Sequence, residues 1–309
     1  MTWVIIVTEE EPQFSYKDTS TMSYQIKKGE APKFRIIADL HYGEPDFDMG
    51  CFLTAISEAE EEGRKVILLG DLITSIIPED RRFEKDNHKI DFAEQLDWLE
   101  RILHKYADTI HLVFQGNHEQ KLIRTHGDFI EKICERNAIM YAGYQMNILY
   151  RKLNYKNKIN FYLTHGNRTF NYRAGEGRRI QTNKEVRIKD LLEPTCEADL
   201  YVMGHAHQGV LSTDALKMKL VNETGKRYEE KYVPENQDKV FCCCPSMFRT
   251  YQGGENYGTR SGFIPSEVGF IDVNLTKGLE IDDVKLIVSN GDEFIEKDSY
   301  KRRRRLVSR

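Results

Sequence analysis

The chain has 309 residues, of which 40% are hydrophobic and 30% are charged, and its formal net charge at pH 7 is −4. This composition can bury a sizeable core, so it excludes an intrinsically disordered chain, and the length fits one large domain or two ordinary ones. No apolar run approaches the roughly 20 residues that a membrane-spanning helix needs, so no membrane partner is expected.

The chain begins with a short apolar run, WVIIV at residues 3–7, followed by an acidic run. No basic segment precedes it, so the run is predicted to be a strand rather than a secretory signal, within an N-terminal extension ending at residue 33.

The six cysteines include three consecutive ones at 242–244 and lack the CxxC spacing of zinc sites. Free thiols and a reducing, cytoplasmic location are therefore expected.

Five short apolar runs follow, and each ends in a polar cluster. They are FRIIADLH (34–41), KVILLGD (65–71), IHLVFQGNHE (110–119), INFYLTHG (159–166) and LYVMGHAH (200–207). Such runs predict strands that are buried on both faces. Helical spacing between the first runs predicts helices within 47–63, 90–107 and 119–137, the first ending at Gly63. This alternation predicts an α/β fold with helices packed on a sheet.

After residue 208 the pattern indicates further strands within 231–252, 267–275 and 284–297, the last as a hairpin closed by Asn290 and Gly291. Segments 75–91 and 167–183 are predicted to be long polar loops. The tail KRRRRLVSR (301–309) contains six basic residues. We expect a solvated, disordered terminus there, with binding of nucleic acid phosphates as the alternative.

Metal-binding side chains stand at the ends of the five predicted strands. They are Asp39, His41, Asp71, Asn117, His118, His165, His205 and His207. Ligands in α/β folds gather at the carboxyl ends of the strands, so these residues are expected to meet in one crevice. In 39–41 and 205–207 the two polar residues are two positions apart, and extended geometry would point both to the same side. The other four histidines are predicted to be structural or on the surface; they are His88, His104, His111 and His126.

The motifs D-x-H, G-D, G-N-H-E, H-G and G-H-x-H occur in this order between residues 34 and 207. As a set they resemble the calcineurin-like metallophosphoesterase superfamily, in particular its stand-alone bacterial and phage members. The resemblance implies an α/β (α+β) fold, a four-layer α-β-β-α sandwich with two central mixed sheets flanked by helices. The catalytic domain would span 34–275, and a hairpin at 276–300 would pack on it or cap it.

The resemblance also implies two divalent metal ions. One would be bound by Asp39, His41, Asp71 and His207. The other would be bound by Asp71, Asn117, His165 and His205, so that Asp71 bridges the pair. The ligand set has no thiolate and suits Mn, Fe or Zn, of which Mn²⁺ is favoured. A hydroxide between the metals would attack phosphorus in line, and His118 would protonate the leaving oxygen, with Glu119 as a candidate to orient that ring.

The substrate is indicated less directly. The bridging aspartate is followed by LITSIIPED rather than an Asp-Arg-Gly signature, which counts against the protein serine/threonine phosphatases. Candidate phosphate contacts are Arg168, Arg173 and Arg249, and candidate base-stacking residues are Phe170, Tyr172, Tyr251 and Tyr257. These favour a phosphodiesterase or nuclease acting on nucleic acid or nucleotides. A phosphomonoesterase and a non-catalytic nucleic-acid-binding protein on the same scaffold are the alternatives, and the oligomeric state stays open.

Overall fold

The computed structural model describes residues 20–27, 29–80, 83, 85, 88–152, 157–170, 177–213, 216–221, 229–234, 239–250, 265–291 and 293–301. The predicted strand WVIIV, the basic tail from residue 302, and the residues Tyr172, Arg173, Tyr251 and Tyr257 lie outside this part of the chain. No helix within it is long and apolar enough to cross a membrane.

The described elements follow one another in this order: β1 (Ser20–Ile26), β2 (Lys33–Ile37), α1 (Met49–Glu61), β3 (Lys65–Leu69), α2 (Phe92–Lys105), β4 (Ile110–Phe114), α3 (Asn117–His126), α4 (Phe129–Arg136), β5 (Met140–Tyr141), β6 (Gln145–Lys152), β7 (Lys158–Thr164), α5 (Gly177–Leu192), β8 (Leu200–Met203), β9 (Val210–Thr213), β10 (Leu216–Val221), β11 (Glu229–Pro234), β12 (Val240–Cys243), β13 (Gly269–Leu275), β14 (Ile281–Ser289) and β15 (Phe294–Lys301).

Two mixed sheets form the centre of the molecule. The first has the order β1-β6-β7-β8-β12-β9, and the second has the order β15-β14-β13-β2-β3-β4-β5. Strands β2, β3 and β4 run parallel to one another, as do β7 and β8, whereas β13 is antiparallel to β2. Strands β10 and β11 form a separate antiparallel pair. The mixed α/β class with two central sheets is therefore confirmed.

Side chains along β2 show how the layers are built. Phe34 and Ile36 face the first sheet in a core between the two sheets, whereas Ile37 belongs to a second core under helices α1, α2 and α4. This alternation is what a strand buried on both faces requires. A third core lies between the first sheet and α5, around Ile188 and Tyr201. The four layers are therefore helices α1, α2 and α4, the second sheet, the first sheet and α5, with one core between each pair of neighbouring layers, as in the predicted sandwich.

Most predicted elements lie where the sequence places them, including the helix end at Gly63 and the hairpin at Asn290 and Gly291. The helix predicted within 119–137 is interrupted at Gly127, whose φ of 80° ends α3 before α4 begins.

The loop predicted at 167–183 was wrong in its second half, because α5 already begins at Gly177. The core-facing positions of α5 include the buried Lys184 four residues before Ile188. Because a lysine stands in the apolar stripe, the helical spacing of apolar residues is not apparent in the sequence. In the fold its alkyl stem packs like an apolar side chain.

His111 lies on β4 with 8% of its surface exposed, and its ring centroid is 4.8 Å from that of Tyr24 and 6.1 Å from that of Phe34. Burial lowers the pKa of His111 from 6.5 to about 3. Below pH 6.5 the unfolded chain binds a proton that the folded chain does not bind, so stability falls as the pH falls. Between pH 7 and pH 5 we expect this residue alone to cost about 2 kcal/mol.

The variant His111→Phe should lack this loss, because phenylalanine fits an aromatic site and does not titrate. Urea unfolding of both proteins at pH 7, 6 and 5 measures the difference, since titrations elsewhere are common to the two and cancel. Parallel stability curves for the two proteins would contradict the assignment.

Candidate metal centre

The predicted ligands follow the carboxyl ends of five strands from both sheets. Strand β2 precedes Asp39 and His41, β3 precedes Asp71, and β4 leads into Asn117 and His118 at the start of α3. From the first sheet, β7 precedes His165, and β8 precedes 205–207. The residues from the two sheets meet at one end of the sandwich, where the backbone N–H of His205 donates to the Asp39 carboxylate at 2.9 Å. The structure therefore brings all eight side chains to one place.

The ligand loops have an unusual backbone. Five of the residues have a positive φ: Asp39 (53°), His41 (52°), Asp71 (49°), His205 (66°) and His207 (53°). Left-handed backbone is uncommon outside glycine and costs free energy, so its concentration here marks a site that the surrounding structure holds in place. The extended geometry predicted for 39–41 and 205–207 was wrong, because both pairs lie beyond the strand ends at Ile37 and Met203.

Four side chains lie close together beside the end of β2. The Nε2 atoms of His41 and His207 are 3.1 Å apart, and Nε2 of His207 is 3.5 Å from Oδ1 of Asp39. Oδ2 of Asp71 lies 3.7 Å from Nε2 of His41. Two ligand atoms about 2.1 Å from a shared cation, at bond angles of about 90–110°, are about 3.0–3.4 Å apart. The spacing within this group is close to what one metal ion requires.

A second group forms on the other side of Asp71. Nε2 of His165 is 3.1 Å from Oδ1 of Asn117 and 3.3 Å from Oδ2 of Asp71. The ligand atoms of Asp71, His165 and His205 all lie within 4.8 Å of one another. Asp71 thus contacts both groups, as a bridging carboxylate would.

The tautomer of His165 supports a metal at this point. Its Nδ1–H donates to the carbonyl oxygen of Leu69 at 3.0 Å, which directs Nε2 towards the oxygens of Asn117 and Asp71. Metal-bound histidines commonly use their second nitrogen in this way. Three Lewis-basic atoms therefore converge, and imidazole, carboxylate and amide oxygen together fit a divalent cation such as Mn²⁺, Fe²⁺ or Zn²⁺.

The electrostatics of the two groups agree with this fit. Burial holds the pKa of His41 well below its ordinary value and lowers the pKa of His205 to about 4, so both rings are neutral at pH 7 and offer a lone pair. Burial would also lower the pKa of His165, but the charge of Asp71 outweighs it and raises that pKa to about 10. The surroundings of Nε2 in His165 therefore favour a positive charge, which a metal ion would supply.

The carboxyl group of Asp71 is ionised. Burial alone would raise the pKa of Asp71, but the neighbouring His165 and His118 rings hold it well below its ordinary value. Its side chain is also packed against backbone, because a Cβ at Gly116 would lie 2.0 Å from Oδ1 of Asp71. Only glycine allows the loop after β4 to come this close.

His118 is held by the backbone of the loop after β3. Its Nδ1–H donates to the carbonyl oxygen of Thr74 at 2.7 Å, and its ring centroid lies 4.7 Å from that of His41. His118 also lies within metal-binding distance of His41 and Asp71, where it can act as a proton donor or as a further ligand.

Glu119 has a different position from the one expected. Its buried carboxylate accepts the backbone N–H of Gly116 at 2.7 Å and that of Ile73 at 3.0 Å, and burial together with Asp71 raises its pKa to about 7. Glu119 therefore joins the loops after β3 and β4, and the Thr74 carbonyl accepts the ring proton of His118.

The predicted substrate contacts lie in three kinds of surroundings. Arg168 is exposed three residues after His165. The guanidinium of Arg249 pairs with Asp48, the residue that caps α1. Phe170 is only 6% exposed and packs in the core under α5, so the prediction that it stacks on bases was wrong.

One aromatic residue at the site was not predicted. The ring of Phe248 lies 5.4 Å from that of His41 and 5.8 Å from that of His207, and it forms an apolar wall beside them. Its neighbour Met247 donates its backbone N–H to the carbonyl oxygen of Asp39 at 3.0 Å. No local pattern in CCCPSMF indicates this role, because the contact depends on the pairing of β12 with β8.

No protein-family model and no curated protein matches the sequence. Among solved structures, the chain is similar to a metallophosphoesterase from Sphaerobacter thermophilus, with 13% identity, a TM-score of 0.33, and coverage of 79% of this chain and 84% of that chain. It is also similar to GAP50, the anchor in the inner membrane complex of Plasmodium, with 11% identity, a TM-score of 0.44 and coverage of 88% of each chain. At these identities and scores, neither likeness determines the chemistry of this chain.

Proposed function

We propose that the protein is a metal-dependent phosphoesterase with two divalent cations at the carboxyl ends of its central strands, and that its substrates are phosphodiesters of nucleic acid or nucleotides. The observation that carries the proposal is the position of Asp71 between two groups of ligand atoms. A carboxylate with imidazole side chains on both sides suits the bridging ligand of a two-metal hydrolase.

Each of the two groups of side chains would bind one cation. Asp39, His41, Asp71 and His207 would hold one, and Asp71, Asn117, His165 and His205 would hold the other. When bound, such a pair lowers the pKa of coordinated water and neutralises charge that grows on phosphoryl oxygens. The backbone N–H of His205 fixes the Asp39 carboxylate at 2.9 Å, and Leu69 fixes the ring of His165, so both ligands are oriented before any metal binds.

His118 would act as the proton donor to the leaving oxygen. Its Nδ1–H is engaged by Thr74, so a proton delivered to the substrate would come from Nε2. A well-placed acid of this kind contributes about 10²–10⁴ in rate. The ring lies against that of His41 and therefore beside the proposed metal-binding side chains.

Two features of the chain favour a diester over a monoester. The loop that follows His165 carries the exposed Arg168, which is free to meet a phosphate oxygen or a neighbouring nucleotide. The segment after Asp71 has no Asp-Arg-Gly sequence of the protein phosphatase kind. All positions of the motif set are filled by metal-binding side chains, which favours an enzyme over a non-catalytic binding protein.

Hydrolysis of bis-p-nitrophenyl phosphate and of p-nitrophenyl phosphate by the full chain with Mn²⁺ tests both levels of the proposal. We expect turnover of the diester, loss of turnover in excess chelator, and recovery when Mn²⁺ is restored. Turnover of the monoester alone would contradict the diesterase and indicate a phosphomonoesterase. A protein that binds Mn²⁺ but hydrolyses neither compound, nor single-stranded DNA or RNA, would contradict the enzymatic function.

A further inference from the structure

The loop 205–209, which carries His205 and His207, is tied to one residue outside the candidate site. The backbone N–H of Glu267 donates to the carbonyl oxygen of His207 at 3.0 Å. The carboxylate of Glu267 accepts the backbone N–H of Gly209 at 2.6 Å. Glu267 thus holds the loop at two points, one on His207 itself and one two residues later.

A lysine from the C-terminal hairpin completes this arrangement. Nζ of Lys297, on β15, donates to the carboxylate of Glu267 at 2.6 Å and to the carbonyl oxygen of Gly209 at 3.1 Å. Both polar groups of the Gly209 backbone are therefore bound by the Glu267–Lys297 pair. The fit is close, since a Cβ at Gly209 would lie 2.9 Å from Oε2 of Glu267 and 3.0 Å from Leu286.

Glu267 is itself anchored to the floor of the candidate site. Its carbonyl oxygen accepts the backbone N–H of the fully buried Ser246 at 2.9 Å. Met247, the residue after Ser246, bonds to the backbone of Asp39. The loop that carries His207 and the loop that carries Asp39 are therefore linked through the same segment, Ser246 and Met247.

From these contacts we infer that Glu267 and Lys297 are positioning residues for the metal site, which make the C-terminal hairpin part of its support. His207 has a φ of 53°, a conformation that is held only if the adjacent peptides are fixed. Without the pair, Gly209 loses partners for its N–H and its carbonyl, and the imidazole of His207 loses its fixed distance to Asp39. The inference rests on the proposed metal site and adds the means by which it is preorganised.

Calorimetric titration of the metal-free full chain with Mn²⁺ tests the inference without relying on catalysis. Loss of groups that orient metal ligands typically weakens binding 10–100-fold. We expect Glu267→Ala to weaken Mn²⁺ binding by about that factor, and Lys297→Met to weaken it less, because the carboxylate of Glu267 still accepts the N–H of Gly209. Glu267→Gln should lie between Glu267→Ala and the wild type, because its amide oxygen still accepts the N–H of Gly209 but loses the charge pairing.

Lys285→Met is the matched control, since Nζ of Lys285 makes a comparable 3.1 Å pair with Glu296 on the same hairpin without contacting the loop 205–209. Its Mn²⁺ affinity should equal that of the wild type. Circular dichroism and the melting temperature of the metal-free proteins establish that each variant is folded. Unchanged affinity in folded Glu267→Ala and Lys297→Met would overturn the inference. No Mn²⁺ binding by the wild type would instead overturn the metal site on which it rests.

Discussion

Replacing Asp71 with asparagine should abolish both tight metal binding and hydrolysis. The substitution keeps the shape of the side chain, including the oxygen that accepts the backbone N–H of His118 at 2.9 Å. It removes the negative charge that stands between the two ligand groups, so neither of the proposed cations would have a bridging anion. We expect kcat/KM for the diester to fall by at least about 10³, measured together with Mn²⁺ binding by calorimetry.

Asp91→Asn is the control for this change, because Asp91 caps α2 and asparagine is an equally good capping residue. Its metal affinity and activity should match those of the wild type. If Asp71→Asn bound two Mn²⁺ ions and kept its rate, Asp71 would not be the bridging ligand.

Replacing His118 with alanine should separate metal binding from catalysis. The backbone N–H of His118 remains available to Asp71, so the Asp71 carboxylate keeps its hydrogen bond. The ring that Thr74 orients is lost, and with it the proposed proton donor. We expect kcat to fall by about 10²–10⁴ while two Mn²⁺ ions bind within about threefold of the wild-type affinity.

His126→Ala, in the last turn of the same helix, is the matched control and should leave both quantities unchanged. A large loss of Mn²⁺ affinity in His118→Ala would make His118 a ligand rather than an acid, as its distance from His41 and Asp71 also allows. A small and equal effect of the changes at Asp71 and His118 would contradict both assigned roles.

The central strands could be predicted from sequence because burial on both faces leaves a clear signature of continuous apolar residues. In β3 and β4 nearly every side chain is buried, and the polar residues that follow stand where the strands end. Placing ligands at those ends required only the rule that carboxyl ends of such strands form a crevice. Their meeting across two different sheets came from the resemblance rather than from periodicity.

Other features depend on contacts that no local pattern displays. The left-handed backbone at His41 and His207 is held by hydrogen bonds from other loops. Neither position is a glycine, so the sequence gives no sign of this conformation. Gly209 and Glu267 are 58 positions apart, and Gly209 and Lys297 are 88 apart, so the support of the loop 205–209 was invisible in the sequence. Helix α5 was not predicted, because Lys184 occupies a core-facing position and interrupts the apolar stripe.

The metal content of the purified full chain tests the central claim most directly. Metal-free protein titrated with Mn²⁺, with bound metal counted after gel filtration, should take up two ions per chain, and Asp71→Asn should retain fewer than one. A wild-type chain that takes up no Mn²⁺, Fe²⁺ or Zn²⁺ while remaining folded would contradict the account, whatever its activity.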